Sequence, residues 1–133
     1  VLVSEIVPPE HALWGLLHDA SEAYVVDLPR PIKRLRGFGD LYCDAEDRVQ
    51  RAVCERFGLP SEMPPEVKVA DNTILATEAR DLMGPSPLPW AKMPPPIAER
   101  ITPLYPREAE RLFLRRFQML TGLRDGVVRE LPR

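Results

Sequence analysis

Cysteine and histidine are scarce in this chain of 133 residues, with two of each. So few thiols exclude a disulfide framework. Cys43 and Cys54 fall in one expected helix, and their spacing of eleven residues is roughly 16 Å along the axis. A disulfide holds its Cα atoms within about 7 Å, so these two cannot pair there. They also lack the CxxC spacing of a zinc ligand pair, which leaves buried free thiols as the better reading. Long apolar runs are missing as well. None approaches a bilayer crossing, and no basic-then-apolar leader opens the chain, so the expected location is the cytoplasm. Charge of one sign is not in excess: 18 Lys and Arg against 20 Asp and Glu leave a net charge of -2. That balance removes any global electrostatic case for nucleic acid or an anionic membrane as partner. No segment alternates convincingly with a period of two, and no internal repeat is present, so the expected class is all-α.

Proline is the residue in surplus. Of 16 prolines, six lie between residues 85 and 96, and "GPSPLPWAKMPPP" is incompatible with regular helix or a central strand. Residues 84–96 are expected to form an extended loop on the surface or over a cleft. The length suits one domain with a real core rather than two. Residues 1–133 are thus expected to make a single helical domain with a tail over 122–133. Between the prolines the apolar spacing is helical. Leu13, Leu16, Leu17, Ala20 and Ala23 predict a helix over 11–24, with Pro9 in its first turn and "DLPRP" at its end. A short helical piece over 32–35 follows, stopped by Gly37 and Gly39. Residues 40–57 carry Leu41, Ala45, Val49, Ala52, Val53 and Phe57 as a stripe, and Gly58 with Pro60 ends that helix. Asp44 with Arg48 and Asp47 with Arg51 stand four apart in the favourable acid-first order. A third helix is predicted over 65–83 and a last one over 106–121, with Ala109, Leu112, Phe113, Phe117 and Leu120 turned inward. Asp125-Gly126 offers a turn in the tail.

Chemistry concentrates in "GLLHDASEAYVVDLPRP", residues 15–31. On a continuous helix Trp14, His18 and Glu22 share a face, and Asp19 is displaced by about 100°. The third helix has a matching feature: Val67, Asp71, Ile74 or Leu75, and Glu78 form one stripe, which sets a carboxylate among apolar side chains. An ionised carboxylate removed from water needs a cation. His18 with Asp19 completes a mixed nitrogen and oxygen donor set for one. That set suits a divalent transition ion (Co, Mn, Zn, Fe or Ni) rather than calcium. The residues leave an alternative open, in which Asp71 pairs with Lys68 or Arg80 at the helix surface.

The runs "LLHDASEAYVVDLPRPIK", "AEDRVQRAVCERFGLP" and "VKVADNTILATEARDLM" resemble the HD-domain metal-dependent phosphohydrolases. Within these the nearest are small bacterial and phage members that include 5′-deoxynucleotidases and a deoxyadenosine triphosphate hydrolase. The resemblance covers residues 10–83 and rests on His18, Asp19, Glu22 and Asp27 together with Ala70-Asp71. It implies an HD-type helical bundle in which His18, Asp19 and Asp71 are the metal ligands. Glu22 and Asp27 match the family's acidic pair, which handles the attacking water and the leaving group. The family's first ligand is a histidine on a preceding helix. His11 lies about 10 Å from His18 along the axis, too far for one ion, so that ligand is expected to precede Val1. The expected activity is release of phosphate from deoxynucleoside monophosphates. The rivals are release of tripolyphosphate from a deoxynucleoside triphosphate and, in a different class, a non-catalytic metal-binding module.

Phosphate recognition needs fixed cations, and Arg30 and Lys33 are nearest in sequence, although solvated loop charge is an equal reading of both. Glu78 either lines the same site or pairs with an arginine. Trp90 either stacks a base or pins the proline loop to the core, and Trp14 is core or pocket wall. The run "PIKRLR" is too short and too poor in aromatics for a nucleic-acid groove. The expected partner is a small nucleotide. Association of copies is expected because the outer helices must bury apolar faces.

Overall fold

Proline marks the start of half of the described helical elements. The computed structural model describes residues 1–84 and 93–123. In chain order its elements are α1 (Leu2–Ile6), a 3-10 turn (Pro9–His11), α2 (Ala12–Leu17), α3 (Glu22–Val25), α4 (Arg30–Lys33), α5 (Phe38–Phe57), α6 (Pro65–Asp81) and α7 (Pro106–Thr121). Pro9, Pro31, Pro65 and Pro106 each occupy a first turn, where the missing N–H has no helical partner to lose. Gly58 closes α5 with φ 65°, a left-handed conformation that favours glycine. Among the described residues there is no strand, and the fold is all-α. No described helix is long and apolar enough to cross a membrane. Trp90, the Asp125-Gly126 turn and most of the expected proline loop lie outside the described residues.

The chain divides into two units. One comprises Val1–Leu16 and the chain from Pro65 on; the other is Leu17–Pro64. In the first, α1 packs on α6. Val67, Ala70, Ile74 and Thr77 are the buried row of α6. Burying Val67 and Ile74 contributes about 1.5–3 kcal/mol each. The Thr77 hydroxyl donates to the Thr73 carbonyl at 2.8 Å and accepts the Ile97 N–H at 3.1 Å. One turn on, Arg80 donates to the carbonyls of Ile97 and Glu99 at 2.7 and 2.8 Å. The Asp81 carboxylate, only 2% exposed, accepts from Arg80, Arg100 and the Ile101 N–H. Arg80's hydrogen bonds, and then the Ile101 amide, hold the Asp81 carboxyl well below the usual range. At the far end of this unit Arg116 donates to the Ser4 hydroxyl at 3.0 Å and to its carbonyl at 2.7 Å.

In the second unit α3 and α4 lie against α5. Gly39 is buried. A Cβ there would run into the carbonyl of Lys33, so glycine is what lets α4 meet the start of α5 so closely. The face that α5 turns to these short helices carries Tyr42, Glu46 and Gln50, each four residues from the next, and Cys54 continues the row into full burial at 1% exposure. Cys43 and Cys54 are both free thiols; Cys54 is buried as expected, whereas Cys43 is only half-buried.

Several sequence expectations change. Residues 2–6, left unassigned by the apolar pattern, form α1. The short helix before α5 starts at Arg30 rather than residue 32, and Gly39 is inside α5 rather than a stop. On α5, Leu41 is 74% exposed, so the apolar stripe is not the buried row. On α7, Phe113 is at the surface and no residue is fully buried. The helix expected over 11–24 is two helices, because a side chain from α5 enters its backbone.

Candidate functional site

In an unbroken helix the Leu17 carbonyl would accept the Ser21 N–H. Here the Gln50 amide stands between them. Its Nε2 donates to the Leu17 carbonyl at 3.0 Å, and its Oε1 accepts the Ser21 N–H at 3.2 Å. The turn between tightens to three-residue bonds, Ala20 N–H to the Leu17 carbonyl and Glu22 N–H to the Asp19 carbonyl, each 3.0 Å. His18 and Asp19 sit on this opened turn, so the face-sharing expected from a continuous helix does not apply. His18 Nε2 lies 3.0 Å from Asp19 Oδ2, and the imidazole is 15% exposed against 57% for the carboxylate.

Below the turn, carboxylates outnumber cations. Lys33 Nζ reaches Glu46 at 2.9 Å and Asp27 at 3.6 Å and lies 5.4 Å from the centre of the Tyr42 ring. Burial raises the proton affinity of Glu22, and the charges of Asp19 and Asp27 raise it further, against the lowering effect of Lys33. Asp27 follows Val26, a β-branched residue at φ 66° and ψ 151°, a conformation that costs on the order of 1–3 kcal/mol. The Tyr42 hydroxyl donates to the Val26 carbonyl and holds it there. Asp19, Glu22, Asp27 and Lys33 are thus brought into one electrostatic neighbourhood. Lys33 is already engaged by two carboxylates. Arg30 is exposed in the first turn of α4.

Asp71 belongs to the other unit, where the buried row of α6 passes beside it rather than through it. Its Oδ2 accepts from Lys68 Nζ at 2.7 Å, and its side chain is 28% exposed. The carboxylate is therefore not stranded among apolar groups, and the surface pairing with Lys68 is the observed one. Glu78, on the same helix, is raised by burial and by the charge of Asp71. His11 faces Glu66 at 3.7 Å. Within each unit, among the described residues, no three His, Cys, Asp or Glu side chains gather as a metal ion would need.

Sequence reasoning passed over Tyr42, Glu46 and Gln50. Their spacing of four along α5 was the available signal, obscured by a search for apolar stripes. It also passed over Arg107, Arg111 and Arg115, which line an open groove of about 280 Å³ along α7 with Glu110, Leu114 and Gln118.

The sequence is 40% identical over 127 residues to the uncharacterized protein YfdR of Escherichia coli strain K12, covering 93% of this chain and 70% of that protein. It is 38% identical over 76 residues to an uncharacterized protein of Rhodobacter capsulatus, covering 54% of this chain and 38% of that one. No protein-family model matches the chain, and no solved structure matches it.

Proposed function

The chain belongs to the family of Escherichia coli YfdR, and we propose that it is a metal-dependent phosphohydrolase of the HD type that removes phosphate from deoxynucleoside monophosphates. The observation that carries this reading is the surplus of carboxylates around Glu22 beside the His18–Asp19 pair. Glu22 holds its proton more tightly than an ordinary glutamate, which brings it toward the range where a carboxyl both takes and returns protons near neutral pH.

The donor chemistry fits a divalent transition ion. Two neighbouring ligands on such an ion, with bonds of about 2.1 Å, stand roughly 3.0–3.4 Å apart. The 3.0 Å between His18 Nε2 and Asp19 Oδ2 matches that spacing. The reading assigns the ion to His18, Asp19 and Asp71. When bound, it supplies a water of lowered pKa and neutralises a phosphate oxygen. Glu22 orients and deprotonates the attacking water. Asp27 in its acid form gives its proton to the leaving oxygen as the phosphorus–oxygen bond breaks, with Lys33 beside it as a second donor. Arg30 is the cation open to the phosphate, whereas Lys33 organises the acids.

Asp71→Ala is expected to abolish both metal content and hydrolysis while far-ultraviolet circular dichroism stays near wild type. Full hydrolysis in that variant overturns the reading. Phosphorus NMR of the products distinguishes orthophosphate from tripolyphosphate and so decides between monophosphate and triphosphate substrates. One observation favours a second reading, a non-catalytic metal-binding module: Asp71 is tied to Lys68. Bound metal by elemental analysis, with no turnover of any nucleotide, selects that module.

A further inference from the structure

We infer that Gln50 is a positioning residue: by inserting its amide into the backbone of the turn over residues 17–21, it sets the direction of His18, Asp19 and Glu22. The inference rests on the phosphohydrolase reading for its functional consequence and on geometry alone for the insertion. A primary amide carries its donor and its acceptor on two separate atoms, so it can donate to a carbonyl and accept from an N–H at the same time without either bond displacing the other. Gln50 does both, to Leu17 and Ser21, the two groups whose mutual bond would continue an α-helix. Side chains that enter the helical ladder are a recognised cause of sharp bends. The partners are partly buried, so neither backbone group gives up its bond to water without cost.

The consequence is angular. An α-helix advances about 100° per residue, and the three-residue turn about 120°. Across the four steps from His18 to Glu22 that difference accumulates to roughly 80°. With the ladder closed, Glu22 would turn back onto the face of His18, and its direction relative to the Asp27 charge that helps raise its proton affinity would change. A glutamine on α5, about thirty residues later in the chain, therefore determines which way the acids and the imidazole face. Glutamate or lysine at this position would supply only half of the exchange.

The test is Gln50→Met, which keeps the volume and removes both hydrogen bonds. Backbone carbon-13 shifts of residues 18–21 are expected to move toward α-helical values. With metal present, kcat for nucleotide hydrolysis is expected to fall about 10-fold or more, with KM nearly unchanged, and metal affinity to weaken by about 10-fold, as when a group orienting a ligand is lost. The pH–rate limb assigned to Glu22 is expected to shift. Unchanged carbon shifts overturn the insertion, whatever the kinetics. Shifted carbons with unchanged kcat overturn the positioning role. A wild-type protein that hydrolyses no nucleotide defeats the phosphohydrolase reading instead, and the carbon shifts still decide the insertion.

Discussion

Helices α5 and α6 have similar lengths, 20 and 17 residues, and use their inner faces differently. On α6 the inner row is Val67, Ala70, Ile74 and Thr77, and its one deeply buried charge, Asp81, is met by two arginines and a backbone amide. On α5 the corresponding row is Tyr42, Glu46, Gln50 and Cys54. Only the last is fully buried, and the first three take hold of the backbone and charges of α3, α4 and the turn before them. α6 neutralises its buried charge; α5 gathers charges that are not neutralised. A carboxylate balanced by arginine stabilises and does little else. Carboxylates crowded beside one lysine add to the effect of burial in raising the proton affinity of Glu22, which is what acid–base chemistry requires.

Three substitutions would break or sharpen that contrast. The largest effect is expected on the balanced side. Asp81→Asn replaces one acceptor oxygen by an N–H₂ that faces either both guanidiniums or Arg80 and the Ile101 N–H, and is expected to lower the thermal midpoint by roughly 10 °C. The folded carboxyl titrates below its unfolded value. Its contribution is thus fully present above about pH 4 and is lost as pH falls toward the folded value. Chemical denaturation from pH 7 down to pH 2 should show wild type converging on the variant.

An intermediate effect of opposite sign is expected at Val26. Glycine adopts positive φ without strain, so Val26→Gly is expected to stabilise by about 1 kcal/mol in urea denaturation. A loss of stability there would mean that Val26 is not strained. The smallest effect is expected at Glu22. Its folded carboxyl is raised, so the charged form weakens the fold above the ordinary glutamate range. Glu22→Gln is therefore expected to raise the midpoint by a degree or two at pH 7, with the advantage disappearing below about pH 4. Hydrolysis by that variant should be lost. A variant that gains stability and keeps its rate would separate Glu22 from the chemistry.

The same contrast explains what could be read from sequence. Helix ends were legible because Pro65, Pro106 and Gly58 act locally, through a missing N–H or a left-handed φ. The bounds of α6 and α7 fall where those residues put them, to within two positions at the end of α6. The row on α5 was not legible from apolar periodicity, since its members are polar and their partners lie on other elements. The break at residues 18–21 is the clearest case. Every residue from 11 to 24 is compatible with one helix, and the cause of the interruption lies at Gln50. Asp71 misled for a related reason. One position separates it from the buried Ala70, about 100° of rotation, and Lys68 supplies the cation that the apolar reading had sought elsewhere.

The bond between Arg116 and Ser4 joins residues 112 positions apart. On the ribosome, the stretch from Leu17 to Pro64 emerges complete before Arg116 has been made. The side-chain hydrogen bonds that join its helices span 13 to 33 positions, so they form earlier and at less cost in chain closure. The other unit must wait for its last helix: until then α1, which carries the buried Val3, lacks the bonds from Arg116 to Ser4 that fasten it. Nascent chains stalled short of residue 116 should accordingly depend on chaperones for their opening residues and not for the segment carrying His18 and Asp19.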